Sequence, residues 1–151
     1  MKFEIVPYVS VGPLTWGLQL DTVASIIGKA DHSSRNRAGN TVEFREVFSQ
    51  SCIYEKNTLS LIEVTFSQRK ENMFFSGIDL IGSSNLDVVR QLHHLDKSAM
   101  TGFGSIVFPA LGIALTGYLP NEEEINAVGA FAYGRWDRAM VGMEPLKTVY
   151  S

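Results

Sequence analysis

The side chains with the most chemistry to offer are three histidines, one cysteine and a few glutamates in strand-like stretches. His93 and His94 are adjacent, so on a helix their side chains diverge by about 100°. His32 stands in a polar stretch, and no H-x-H or H-x-x-x-H spacing occurs. No zinc site is therefore expected. Cys52 lies between Ser51 and Ile53 with no base beside it. It reads as a buried structural thiol, because a nucleophilic cysteine needs a group that lowers its pKa. Gly12-x-x-x-x-Gly17 is followed by Leu18 and Gln19, where a phosphate loop needs Lys and Ser or Thr. Gly102-Phe-Gly104 lacks the third glycine of a dinucleotide fingerprint. The sequence thus predicts no catalytic, metal-binding or cofactor-binding residue, and a protein that is not an enzyme.

Other residues point to a contact surface. Glu122, Glu123 and Glu124 form an acidic run after Pro120 that would meet Lys or Arg on a partner. Tyr133, Arg135 and Trp136 lie close together at the end of a strand-like stretch, and Tyr54 ends another. Exposed Tyr, Trp and Arg are the usual anchors of protein interfaces. A rival reading places Glu43, Arg45, Glu55 and Glu63 on one exposed sheet face, lining a ligand-binding or enzymatic pocket that no motif encodes.

The elements that must position these residues follow from hydrophobic periodicity. Phe3, Ile5 and Val9 alternate loosely, then Gly12 and Pro13 break the pattern. Leu20, Val23, Ile26 and Ile27 fall at helical spacing, with Asp21 in the first turn and Gly28 at the C-cap position. Residues 29–40 read as a polar loop. Strands are expected over 41–48, 52–55 and 57–67. The stretch 74–82 leads into a second helix, capped by Ser84 or Asn85, with Leu86, Val89 and Leu92 in its stripe. Residues 105–118 supply one or two strands, 127–136 a last one, and 138–151 form a tail.

The bulk numbers narrow the class. The chain has 151 residues, 45% of them hydrophobic, which suits one globular domain. Lys plus Arg is 13 and Asp plus Glu is 16, for a net charge of −3. That argues against a nucleic-acid binder. Residues 1–75 hold eight charges of each sign, whereas 76–151 hold five positive and eight negative. The single cysteine excludes an internal disulfide and suits a reducing compartment. Glu4 and Pro7 interrupt the first apolar stretch, so neither an export signal nor a membrane span is expected there. A soluble, cytoplasmic protein is the expectation.

Gly12 and Gly17 recur as Gly77 and Gly82, at an offset of 65 residues. The same offset carries Val23 to Val88, Ile27 to Leu92 and Phe66 to Phe131. This register predicts a tandem duplication of a helix-plus-strands unit, with pseudo-repeats 1–72 and 73–137 inside a single domain. The stretch from Gly12 to Asp31 resembles the glycine-turn, helix, Val, Gly signature of the β-lactamase-inhibitor-protein-like domains. The small outer-membrane assembly lipoproteins share that signature. Gly17, Val23 and Gly28 keep its spacings, while Leu18 replaces its usual Met and His93 stands where the second copy should have Gly. No lipobox cysteine lies near the N-terminus, so an envelope-assembly role, which depends on an export signal, is not expected.

The resemblance implies an α+β fold: an antiparallel sheet with two short helices packed on one face. It also implies a protein that binds other proteins. A bacterial immunity protein, which neutralises a toxin by covering its active site, is the expected function. No cofactor, nucleic acid or membrane is expected as a partner, and the oligomeric state is left open.

Overall fold

The computed structural model describes residues 1–67, 72–120 and 126–147. The acidic run Glu122–Glu124 lies outside the described residues. Among the described residues the fold is mixed α and β, mostly sheet, with three short helices. Among the described residues, no helix is long and apolar enough to cross a membrane.

The chain begins with β1 (Lys2–Val6), β2 (Ser10–Val11) and β3 (Leu14–Thr15), then α1 (Leu20–Ile27). A four-strand meander follows: β4 (His32–Arg35), β5 (Thr41–Arg45), β6 (Gln50–Tyr54) and β7 (Leu61–Ser67). Next come β8 (Asn72–Phe75), β9 (Ile78–Asp79) and α2 (Asn85–Leu95). A second meander follows: β10 (Met100–Gly102), β11 (Ser105–Phe108), β12 (Ile113–Thr116) and β13 (Ala127–Phe131). The described residues close with α3 (Asp137–Met140) and β14 (Glu144–Pro145). Residues 1–67 and 72–131 therefore present the same order: short strands, one helix, four strands.

The two meanders join into one antiparallel sheet of nine strands, in the order β14-β10-β11-β12-β13-β7-β6-β5-β4. They meet where β7 pairs with β13, with Val64 opposite Ala130. The short strands form a second sheet, β3-β2-β1-β8-β9, in which β1 and β8 run parallel. An all-antiparallel arrangement was expected, and this pair departs from it.

Strand periodicity gives the large sheet two different faces. On the inner face, Cys52, Val64, Ala130, Ile113 and Phe108 stand side by side across five strands. They belong to one apolar cluster with Val23 and Ile27 of α1, Val88, Val89 and Leu92 of α2, and Phe3, Val11 and Met73 of the small sheet. The Phe3 ring meets the Phe66 ring at 4.7 Å, which ties the two sheets together. Gly12 makes that approach possible. Its φ is +56°, and a Cβ there would sit 2.8 Å from the Phe3 ring.

Local signals explain most boundaries. Gly28 caps α1 at φ +96°, and the Ser84 hydroxyl accepts the Asp87 N–H at 3.3 Å to start α2. Other expectations are corrected. Residues 29–40 are not simply a loop, because they contain β4. The strand expected over 41–48 stops at Arg45, and the one expected over 127–136 stops at Phe131. Residues 57–60 precede β7 as a turn whose Asn57 and Thr58 N–H groups are held by the Glu55 carboxylate at 2.8 and 2.9 Å.

Candidate functional site

The outer face of the large sheet carries the residues worth examining. One row runs Val107, Ala114, Gly129, Thr65, Ser51, Phe44, His32 across seven strands. It passes from buried Val107 to exposed His32. At the buried end, Val107, Ala114, Phe131 and Met143 form a small second cluster, joined by Tyr8, Met100, Trp136 and Met140.

The segment after β13 caps this cluster. Phe131 packs on Trp136 with ring centres 5.9 Å apart, and Tyr8 meets Phe131 edge-on at 5.9 Å. Tyr133 then packs edge-on against Tyr8 at 5.3 Å, yet 87% of Tyr133 is exposed. Tyr8 reaches this face from the N-terminal turn, with its backbone at φ +60°. Its hydroxyl donates to the Pro109 carbonyl. Burial, helped by the negative charges of Asp137 and Asp96, pushes the Tyr8 phenol pKa up.

Beside the aromatics sits an ion pair. Arg135 Nε donates to Glu63 Oε1 at 2.9 Å, and the Thr65 hydroxyl donates to Glu63 Oε2 at 3.0 Å. Gly129 leaves room for them, since a Cβ there would lie 3.3 Å from Thr65 Oγ1 and 3.5 Å from Glu63 Oε2. Only Nε of the Arg135 guanidinium is engaged among the described residues. Trp136 Nε1 is buried with no hydrogen-bond partner there.

Two further residues complete the rim. Phe103 is 80% exposed at the tip of the β10–β11 hairpin, and Val141 is 86% exposed just after α3. With Tyr133, they are the three most exposed large apolar side chains described. The Phe103 ring lies against Gly142, where a Cβ would come within 3.0 Å of it.

The structure thus brings Tyr133, Arg135 and Trp136 together, as their spacing suggested. It does not bring Tyr54 to them. Tyr54 is fully buried on the inner face, and its hydroxyl donates to Glu43 Oε1 at 2.8 Å. An exposed Tyr54 is therefore corrected: β6 presents it on the same face as Cys52. Burial and the Glu43 carboxylate raise its pKa.

The rival set does not converge either. Glu43 and Arg45 lie on the inner face, where the buried Arg45 guanidinium donates from Nε to the Gly28 carbonyl at 2.8 Å and approaches Glu43 at 3.5 Å. Glu63 lies on the outer face. Glu55 sits in a turn, where the N–H groups of Thr58 and Asn57 hold its carboxyl below the usual range. Alternation along the strands separates residues that look close in sequence.

Cys52 is fully buried, and that burial pushes its thiol up to about 12. Of the adjacent histidines, His93 is buried and His94 is exposed. The residues that sequence reasoning missed are Tyr8, Glu63 as partner of Arg135, Phe103 and Val141. Phe103 carried a usable signal: a Phe between two glycines has no neighbouring apolar residue to share a core with. Compared with protein-family models, curated proteins and solved structures, the chain finds no match in any of the three.

Proposed function

We propose that this chain is a non-enzymatic protein that binds and blocks another protein, as a cytoplasmic bacterial immunity protein covers the active site of a toxin. The observation that carries this reading is Tyr133, 87% exposed yet held by ring contact with Tyr8, beside the Arg135–Glu63 pair. A pre-positioned aromatic loses little rotamer freedom on binding, and Tyr, Trp and Arg dominate interface energetics. Phe103 and Val141 extend the same rim with apolar area. We also read the two element series as copies of one unit, supported by their shared order and by the meeting of their last strands, β7 and β13.

The test is binding and protection. The purified chain is titrated with the toxin-like product of its neighbouring gene, and growth rescue is scored on co-expression. Affinity tighter than about 0.1 µM is expected, with Tyr133→Ala weakening it about 30-fold, as a hot-spot residue does. Absence of sub-micromolar binding to any product of the neighbouring genes overturns the reading.

A further inference from the structure

The described residues leave four free sheet edges: β3, β9, β14 and β4. The first three are two residues long, and β14 contains Pro145, which cannot donate to another strand. β4 is different. All four of its residues are exposed, it contains no proline, and it is the outermost strand of the nine-stranded sheet. On any antiparallel edge strand, alternate residues turn their N–H and C=O groups away from the sheet. Such an edge is a template for another strand unless something blocks it.

The charge around β4 says which strand it admits. Lys29, Arg35 and Arg37 are exposed, and none has an ion-pair partner among the described residues. The one acidic residue among positions 29–37 is Asp31, and its carboxylate already accepts the Glu46 N–H at 2.8 Å. The exposed Glu46 carboxylate lies 3.8 Å from His32, so both acidic groups sit at the Asp31–His32 end and the Arg35–Arg37 end is basic, on a chain whose net charge is −3. A second copy pairing in parallel would set Arg35 against Arg35, which is destabilising across strands; an antiparallel second copy would show itself as a dimer that protects β4 without peptide, an outcome the experiment below reads. A carboxylate-bearing strand meets the opposite condition.

We propose that β4 accepts an extended, acidic segment of a partner protein as a tenth strand of the large sheet. Main-chain hydrogen bonds would supply affinity, and Arg35 and Arg37 would select for carboxylates. The site is separate from the Tyr133 rim, because β4 lies four strand spacings, about 19 Å, from β13. It stands or falls independently of the function proposed above.

The experiment uses the full chain, ¹⁵N-labelled, and two capped octapeptides, alternating Thr-Glu and alternating Thr-Lys. The Thr-Glu peptide is expected to bind saturably and about tenfold tighter than Thr-Lys. It should also slow amide exchange at one or more of residues 33–35, which contact through side chains alone would not do. Arg35→Gln/Arg37→Gln, both at exposed positions, should erase the preference while leaving the thermal midpoint unchanged. The proposal is overturned by any of four results: no saturable shift with either peptide, equal binding of both, shifts without amide protection, or concentration-dependent dimers that protect β4 without peptide.

Discussion

The two faces of the nine-stranded sheet are built from the same strands, yet they do different work. On the inner face, α1, α2 and the small sheet all contribute to a single apolar cluster. It borders a polar enclave in which Tyr54 and Arg45 both address Glu43, with Gln50 buried beside Cys52. On the outer face the apolar cluster is small and lies under the 133–143 segment, and its rim holds Tyr133, Phe103 and Val141 in solvent. A face that only needed to be stable would have no use for this rim. The contrast separates side chains that hold the fold from side chains the fold can spare.

Truncation should break this contrast most sharply. Phe66 is fully buried on the inner face against Phe3. Phe66→Ala is expected to cost about 3–5 kcal/mol in urea unfolding. Tyr133→Ala on the outer rim should cost less than about 1 kcal/mol, since it surrenders one exposed ring contact. Equal costs would mean that the rim is part of the core.

The enclave gives the next effect. Glu43→Gln removes the carboxylate that faces the buried Arg45 and accepts the Tyr54 hydroxyl. It should cost about 2–3 kcal/mol, below the full value for a buried pair because Glu43 is partly exposed and the 3.5 Å contact is long. Glu43→Gln/Arg45→Met should recover much of that loss. A cost under about 0.5 kcal/mol for the single variant would show that Arg45 is satisfied by the Gly28 carbonyl alone.

The inner face should also respond to alkali. Burial raises the Cys52 thiol to about 12 in the fold, whereas an unfolded thiol titrates near 8.5. The neutral thiol is thus favoured by folding. Its contribution is complete below about pH 8.5 and is lost as pH rises toward about 12. Through that window stability should fall by about 1.4 kcal/mol per pH unit from this group, and Cys52→Ala should flatten the slope. An unchanged slope in Cys52→Ala would place the titration elsewhere, with Tyr54 the first alternative.

What the sequence disclosed follows the same division. The helix at Leu20–Ile27 and the strand at Leu61–Ser67 bury apolar side chains on one face, so burial wrote a period into them. In Thr41–Arg45 the alternation is inverted, with Glu43 and Arg45 on the inner face and Val42 and Phe44 on the outer one. β4 is all polar and all exposed, so no period marks it, and only its pairing with β5 makes it a strand. Tyr54 was misplaced because it was read as a strand end, whereas simple alternation along β6 puts it on the face of buried Cys52. Tyr133, Arg135 and Trp136 were legible as a group because they are adjacent. Tyr8 and Glu63 were not, since they reach the site from 125 and 72 residues away. Gly12 and Gly77 both adopt positive φ in turns, as their shared offset suggested. Gly82 serves another end: a Cβ there would lie 2.3 Å from the Asp79 carboxylate that accepts the Ile81 and Gly82 N–H groups.

The smallest effect tests the rim most directly. Phe103 and Gly104 form a two-residue hairpin turn with both residues at positive φ, +54° and +80°. Such turns favour Asn-Gly, and a bulky residue in the first position is strained. The ring gains only its contact with Gly142 and remains 80% exposed. Phe103→Asn should therefore stabilise the chain by about 0.5–1 kcal/mol, raising the thermal midpoint by about 2–3 °C. Gly142→Ala sharpens the result. A methyl group there meets the tip of the Phe103 ring at 3.0 Å, so Gly142→Ala should be better tolerated in Phe103→Asn than in the native chain, by as much as the exposed ring fails to turn away. If Phe103→Asn lowers the midpoint instead, the ring belongs to the fold and the rim shrinks to Tyr133 and Val141. If it raises the midpoint and weakens partner binding, the hairpin tip carries strain that stability alone does not require.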